Sequence, residues 1–276
     1  MTDALHRLLR TPQGVLGLGL LAVLVLACLL GRSLAPYSPE AMDFAGRFAP
    51  PGARHWFGAD QLGRDVLSRL LVGASSTIPL AVAATFSGAL VGACVGTLSA
   101  YLGGRWDEAI TRTIDAVMAI PHLLLALILV STLGKGSTNA ALAIAISVAP
   151  SMARVTRSVA LSVRQQDYVK AAIARGEGAG WIVLREMLPN VAAPLIIEAT
   201  IRVAFAVMLF ATLSFLGLGA QPPASEWGLM ISEARRFMHQ APWILVAPAL
   251  AIATTAICFN LLGDGLRDAL NPRDER

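Results

Sequence analysis

From Leu70 to Gly104 the chain carries no charged side chain, and a second such run extends from Thr11 to Gly31, between Arg10 and Arg32. A helix crosses a bilayer with about 20 predominantly apolar residues, so each run is long enough to span one. Over its 276 residues the chain is 55% hydrophobic and 14% charged, whereas soluble domains carry roughly a quarter charged residues. It reads as an integral membrane protein, with membrane lipid as its surroundings. The net charge of +4 is small and spread over many loops, so no nucleic-acid partner is expected; basic residues beside spans normally set topology.

The first run reads as a retained helix rather than a cleaved leader, because it is long, lacks a nearby A-x-A site and is followed by further spans. Residues 36–69 are rich in Pro, Gly and charge, which oppose regular structure. They are expected outside the membrane, ending in an amphipathic helix from Asp65 to Ala74 that lies along its surface. In the second span Gly88, Gly92 and Gly96 recur every four residues, a small-residue face suited to helix packing. Spans three and four are expected from Asp115 to Leu133 and from Thr138 to Ala153, separated by Gly134-Lys135-Gly136. Span five runs from Asn190 to Gly217 and span six from Trp243 to Leu262. Cys28, Cys94 and Cys258 each lie in an apolar run without metal spacing and read as small hydrophobes.

The expected fold is therefore all-α and integral to the membrane, with six transmembrane helices and a helix-turn-helix loop between helices four and five. The chain divides into residues 1–35 (N-terminus and first span), 36–69 (external), 70–265 (five spans with the loop at 164–190) and 266–276 (C-terminal tail). The connection between spans four and five carries Arg154, Arg157, Arg164, Lys170, Arg175 and Arg185, and the tail carries Arg267, Arg273 and Arg276. On the opposite side, the short turn between spans three and four holds only Lys135, and the loop before span six only Arg235 and Arg236. The positive-inside rule places the loop and both termini in the cytoplasm.

Within that loop Tyr168, Ala171, Ala172 and Arg175 fall at i, i+3, i+4 and i+7 of a helix starting near Asp167, with Val169, Ile173 and Gly176 on another face. An alanine face permits close approach by another protein. Gly176 is placed to end this helix in a left-handed conformation, and Glu177-Gly178-Ala179-Gly180 turns the chain into a second short helix that Pro189 closes. By pattern alone, an ordinary helical connector fits as well.

The finger, with Ala171-Ala172, Gly176 and Leu188-Pro189, resembles the coupling loop of permease subunits of binding-protein-dependent ABC importers. His55-Trp56-Phe57-Gly58-Ala59-Asp60 with Leu62-Gly63-Arg64-Asp65 extends the resemblance to the dipeptide, oligopeptide and nickel group. So do Arg112 and Asp115 with Pro121, Ala153-Arg154, Ser214 to Gly219 with Pro222-Pro223 and Trp227-Gly228, and Asn260 to Asp264 with Leu266-Arg267-Asp268. Two positions depart from the pattern: Lys170 stands where an acidic residue is common, and Glu186 where a His is frequent.

The chain has no GxxxxGK[ST] loop, HExxH or GxSxG, and its four His are scattered, so no catalytic activity is expected. The resemblance implies a bacterial inner-membrane permease forming half of a pore. A second permease, two ATPase subunits that bind ATP and Mg, and an extracytoplasmic solute-binding protein would complete it. This chain itself would hold no cofactor. Tyr168, Lys170, Ala171, Ala172, Arg175, Gly176, Leu188 and Pro189 would couple to the ATPase, with Ala171 and Ala172 at closest approach. Di- or oligopeptides are the expected substrates, nickel the alternative. A self-sufficient transporter or channel would carry more intramembrane ionisable groups or internal repeats, and a membrane enzyme would carry catalytic motifs.

Two further sets stand out. Glu198 and Arg202, four residues apart in acid-first order, are expected to pair within span five and to face the pore or another subunit. Pro222, Pro223 and Trp227, in the outer loop from Gly219 to Gln240, would meet the binding protein, cap the pore mouth or merely pack against their own helices.

Overall fold

The computed structural model describes residues 8–9 and 11–270. Among them the regular elements are helices, with a lone β-bridge between Ala59 and Asp65. In hydrocarbon, backbone polar groups must be satisfied within the segment, which is why the apolar runs become helices. In chain order these are α1 (Pro12–Leu34), α2 (Val66–Leu102), α3 (Gly104–Met118), α4 (His122–Leu133), α5 (Ser137–Arg164), α6 (Asp167–Ala174), α7 (Ala179–Phe215), α8 (Trp227–Ala234) and α9 (Trp243–Leu270). Five of them, α1, α2, α5, α7 and α9, are long and apolar enough to cross a membrane; α3 and α4 together add a sixth if counted as one broken span.

Three boundaries differ from expectation. The amphipathic stretch from Asp65 to Ala74 is no separate surface helix. It forms the first turns of α2, because the Asp65 side chain accepts from the Ser68 amide at 2.7 Å and caps the helix there. At 1.5 Å per residue the 37-residue α2 is about 55 Å long, well beyond a hydrocarbon core of about 30 Å. Its early turns therefore project past the core.

The third span is not one rod from Asp115 to Leu133. An 88° bend separates α3 from α4, at Pro121, which lacks an amide hydrogen and disfavours helix in the residue before it. Two ion pairs hold the polar face of α3 against α5: Arg157 Nε donates to Asp107 at 2.6 Å with Nη2 at 2.5 Å, and Arg154 bonds Asp115. Helix α5 itself continues past Ala153 to Arg164, so these arginines project from its last turns.

The glycine face behaves as expected. A Cβ at Gly88 would come 2.5 Å from the Ala145 carbonyl oxygen and one at Gly92 2.6 Å from that of Ala149; Gly96 faces Ala153 in the same way. Two four-residue repeats thus lie in register, and α2 and α5 approach backbone to backbone. Around them α7 supplies Val203, Val207, Phe210 and Leu213, all fully buried. The start of α1 lies beside the end of α9, where Gly14 and Gly265 face each other. The last turns of α2 and α5 sit against the segment that follows α5. The three cysteines are free thiols; Cys258 is buried and Cys28 and Cys94 half-buried. Arg7 and Arg10, and Arg273 and Arg276 of the tail, lie outside the described residues.

Candidate functional site

The loop after α5 folds into a finger of two helical arms. Helix α6 ends as its sequence suggests: Gly176 adopts φ +79°, its amide donates to the Ile173 carbonyl at 3.0 Å, and the Glu177 amide donates to Ala172 at 3.2 Å. This paired pattern is a Schellman cap, for which a left-handed glycine is the natural residue. The face that turns inward is a different one from that expected. Val169 and Ala172, three residues apart, are fully buried among Ala100, Ala160, Val163, Ile182, Met187 and Val191. The outward side carries Tyr168, Lys170, Ala171, Ile173, Ala174 and Arg175. Ala172 therefore cannot be the point of closest approach to a partner; its methyl seats α6 on the chain's own helix ends, and Ala171 is the exposed alanine.

The second arm also departs from expectation. Pro189 does not close it: α7 runs without interruption from Ala179 to Phe215. Residues Ile182–Met187 widen into π-helical turns, and the Leu188 amide reaches back to Val183. A helical proline removes one amide donor and crowds the preceding turn, and such local insertions accommodate it. The Asn190 side-chain amide donates to the Glu186 carbonyl at 2.7 Å, adding a bond in the same turn. Leu188 packs partly against the buried cluster, whereas Pro189 is exposed. The arm and the fifth span are thus a single rod.

Charges stitch the two arms together. Arg175 lies 3.7 Å from Glu177 and 4.0 Å from Glu186, so the unusual glutamate faces an arginine across the turn. Lys170 lies 3.2 Å from Asp167 on the open surface. Burial, and then the Glu186 carboxylate, push the Tyr168 phenol above its ordinary pKa.

Farther along α7, Arg202 Nη2 lies 2.7 Å from Glu198 Oε1, with side chains 23% and 32% exposed. The expected pair forms. One helical turn on, the rings of Phe205 and His122 meet edge to face at 5.6 Å.

At the end of the molecule away from the finger, Trp227 is only 2% exposed. Its Nε1 donates to the Leu70 carbonyl at 2.9 Å and its amide donates to Thr77 Oγ1 at 3.3 Å. It packs α8 onto α2 and has no outer surface to offer, which excludes it as a direct binding-protein contact. Pro222 and Pro223, joined by a cis peptide bond, are exposed beside it. The neighbouring Glu226 is buried as the N-cap of α8, accepting from the Gly228 and Leu229 amides at 2.9 and 2.8 Å.

A charged cluster here was not anticipated. Asp60 accepts from Arg64 Nε at 2.6 Å and Arg69 Nη1 at 2.7 Å, and Glu233 accepts from the same two arginines at 2.8 and 3.0 Å. Arg64, Arg69 and Asp60 are almost wholly buried. The Asp60/Arg64 half has i, i+4 spacing visible in sequence; Glu233, more than 160 residues away, carries no such signal. The cluster ties the segment before α2 to α8.

The family described as "Binding-protein-dependent transport system inner membrane component" matches residues 88–275, and "N-terminal TM domain of oligopeptide transport permease C" matches residues 1–51. The chain is 43% identical to the "Glutathione transport system permease protein GsiD" of Escherichia coli O6:K15:H31 over 252 residues, covering 91% of this chain and 83% of that protein. The proteins of the same name from Shigella boydii and Shigella dysenteriae are 43% and 42% identical over the same shares. Among solved structures, an inward facing conformation of the MetNI methionine ABC transporter superposes with a TM-score of 0.60 at 18% identity, covering 74% of this chain and 97% of that chain. That likeness concerns the fold alone. The chain belongs to the binding-protein-dependent transport system inner membrane components, the non-catalytic, multi-pass permease subunits of ABC importers.

Proposed function

We propose that this permease forms half of the pore of an importer for peptide-like solutes, with glutathione-sized peptides as its substrate class. The observation that carries the reading is identity of 43%, along 91% of the chain, with permeases named for glutathione transport. Glutathione is itself a tripeptide. The other half of the pore would come from a second, related permease. Two ATPase subunits would bind ATP and Mg, and an extracytoplasmic binding protein would deliver the solute.

The finger would face the cytoplasm together with both chain ends, a reading supported by the Lys and Arg of the connection between spans four and five. Tyr168, Lys170, Ala171 and Arg175 are its surface for the ATPase. Gly176 fixes the turn, Ala172 seats the first arm, and Leu188 and Pro189 join the second to span five. The support is mechanical: because the second arm is continuous with α7, a tilt imposed at the finger is transmitted to the pore without a hinge. Pro222 and Pro223 are the exposed residues of the outer loop available to the binding protein.

The test is uptake into proteoliposomes holding this permease, its partner permease and both ATPases, with binding protein outside. ATP-dependent import of labelled glutathione or a dipeptide is expected. Import of nickel alone, with no peptide moved, would overturn the substrate class while leaving the permease role intact.

A further inference from the structure

We infer that Glu198 and Arg202 form a site matched to zwitterionic solutes within the translocation path, and this rests on the peptide-like substrate class proposed above. The second half of α7 is covered on most sides by its own chain, with Val203, Ala206, Val207, Phe210 and Leu213 buried. From Ala199 to Phe215 the residues that are not buried, Ile201, Arg202, Phe205, Met208, Thr212 and Phe215, fall on one face, which Glu198 extends by one turn; before it the helix is more open, with Ala193, Pro194 and Ile196 exposed. The ion pair lies near the middle of Leu188–Phe215, the apolar, regularly α-helical part of α7. A guanidinium at such depth is expensive against lipid, so this stripe faces protein or the aqueous path.

The pair's chemistry suits a solute that carries both charges. The Arg202 guanidinium touches Glu198 through Nη2, and its buried Nε has no partner among the described residues. A guanidinium offers five donors, so it retains donors for an incoming carboxylate. Glu198 can in turn accept from an ammonium group. When the pair opens around a zwitterion, each charge exchanges one partner for another and none is left bare. A simple anion would satisfy Arg202 but strand Glu198; a simple cation would do the reverse. An uncompensated charge away from water is the costly case, so the pair discriminates by charge pattern rather than by shape. Beyond it Met208, Thr212 and Phe215 continue into a groove shared with Ile231 and Ile252, an apolar surface for the side chains of a peptide.

The experiment uses the whole transporter in proteoliposomes and three labelled probes first shown to bind the binding protein: Ala-Ala, its C-terminal amide and N-acetyl-Ala-Ala. These are a zwitterion, a cation and an anion. Each variant's rate is divided by the wild-type rate for the same probe, which cancels the preference of the binding protein. Glu198→Gln should lower Ala-Ala import about tenfold while sparing N-acetyl-Ala-Ala, and Arg202→Gln should lower it about as much while sparing the amide, the size expected from losing one charged hydrogen bond. The exchanged pair Glu198→Arg with Arg202→Glu should restore most Ala-Ala import. Equal loss of all three probes in both single variants, or no loss, would overturn the inference alone. A wild-type transporter that moves none of the three would overturn the peptide-like substrate class and this inference with it.

Discussion

Ala171 and Ala172 are adjacent in α6 but differ in burial: Ala172 is fully buried against the helix ends below the finger, and Ala171, about 100° around the helix, is exposed. Substitutions at the two positions should therefore separate docking from folding. Ala171→Arg should abolish co-purification of the ATPase subunits while leaving the stability of the isolated permease within about 0.5 kcal/mol of wild type, as is usual for surface changes. Ala172→Arg should instead destabilise the finger, by more than the roughly 1 to 3 kcal/mol typical of inserted methylenes because it also buries a charge. Wild-type recovery of the ATPase with both variants would remove the finger as the docking element.

The register of Gly88, Gly92 and Gly96 against Ala145, Ala149 and Ala153 leaves no room for a side chain. Gly92→Leu should lower the stability of the purified permease by at least about 1 to 3 kcal/mol, the usual cost of overpacking. Gly19, which faces open space on α1, supplies the control: Gly19→Leu should leave the melting midpoint unchanged in the same assay.

Removing a cation from the buried outer cluster should cost far more than removing one from the surface. Arg69 bridges Asp60 and Glu233 at 2% side-chain exposure, whereas Arg54 pairs with Asp43 at 72%. Arg69→Met leaves two carboxylates short of a partner and should destabilise by about 3 to 5 kcal/mol. Arg54→Met should cost less than about 1 kcal/mol. Comparable thermal shifts for both would show that the cluster does not hold the segment before α2 onto α8.

Trp227 should matter through packing. Trp227→Ala opens a cavity between α8 and α2 and removes the bond to Leu70, at about 3 to 5 kcal/mol. Uptake should fall in proportion to the assembled protein recovered. Trp227→Phe should retain most of both, since the ring still fills the site. Normal assembly with lost uptake in Trp227→Ala would instead point to a role in transport itself.

The number and approximate position of the spans, the glycine face, the left-handed end of α6 and the Glu198–Arg202 pair were all legible in the sequence. Each depends on neighbours within about one or two helical turns, or on an uncharged run long enough to exclude any other fate in a bilayer. The charged outer cluster was legible only by half: Asp60 and Arg64 lie within one turn of each other, while Glu233 reaches them from another span's connection.

The amino-acid sequence by itself determined that this chain must be a bundle of membrane helices with a basic finger between the fourth and fifth spans. Tertiary structure alone decided which alanine of the finger is buried, whether Pro189 ends a helix, and whether Trp227 faces in or out. An alanine fits either a buried or an exposed face. A proline in an apolar run is tolerated where a π-helical turn and the Asn190 side chain make up the lost bonding. The cluster that buries Ala172 joins the end of α2, distant in the chain, to the end of α5 and the start of α7, and only their packing creates the floor on which the finger rests.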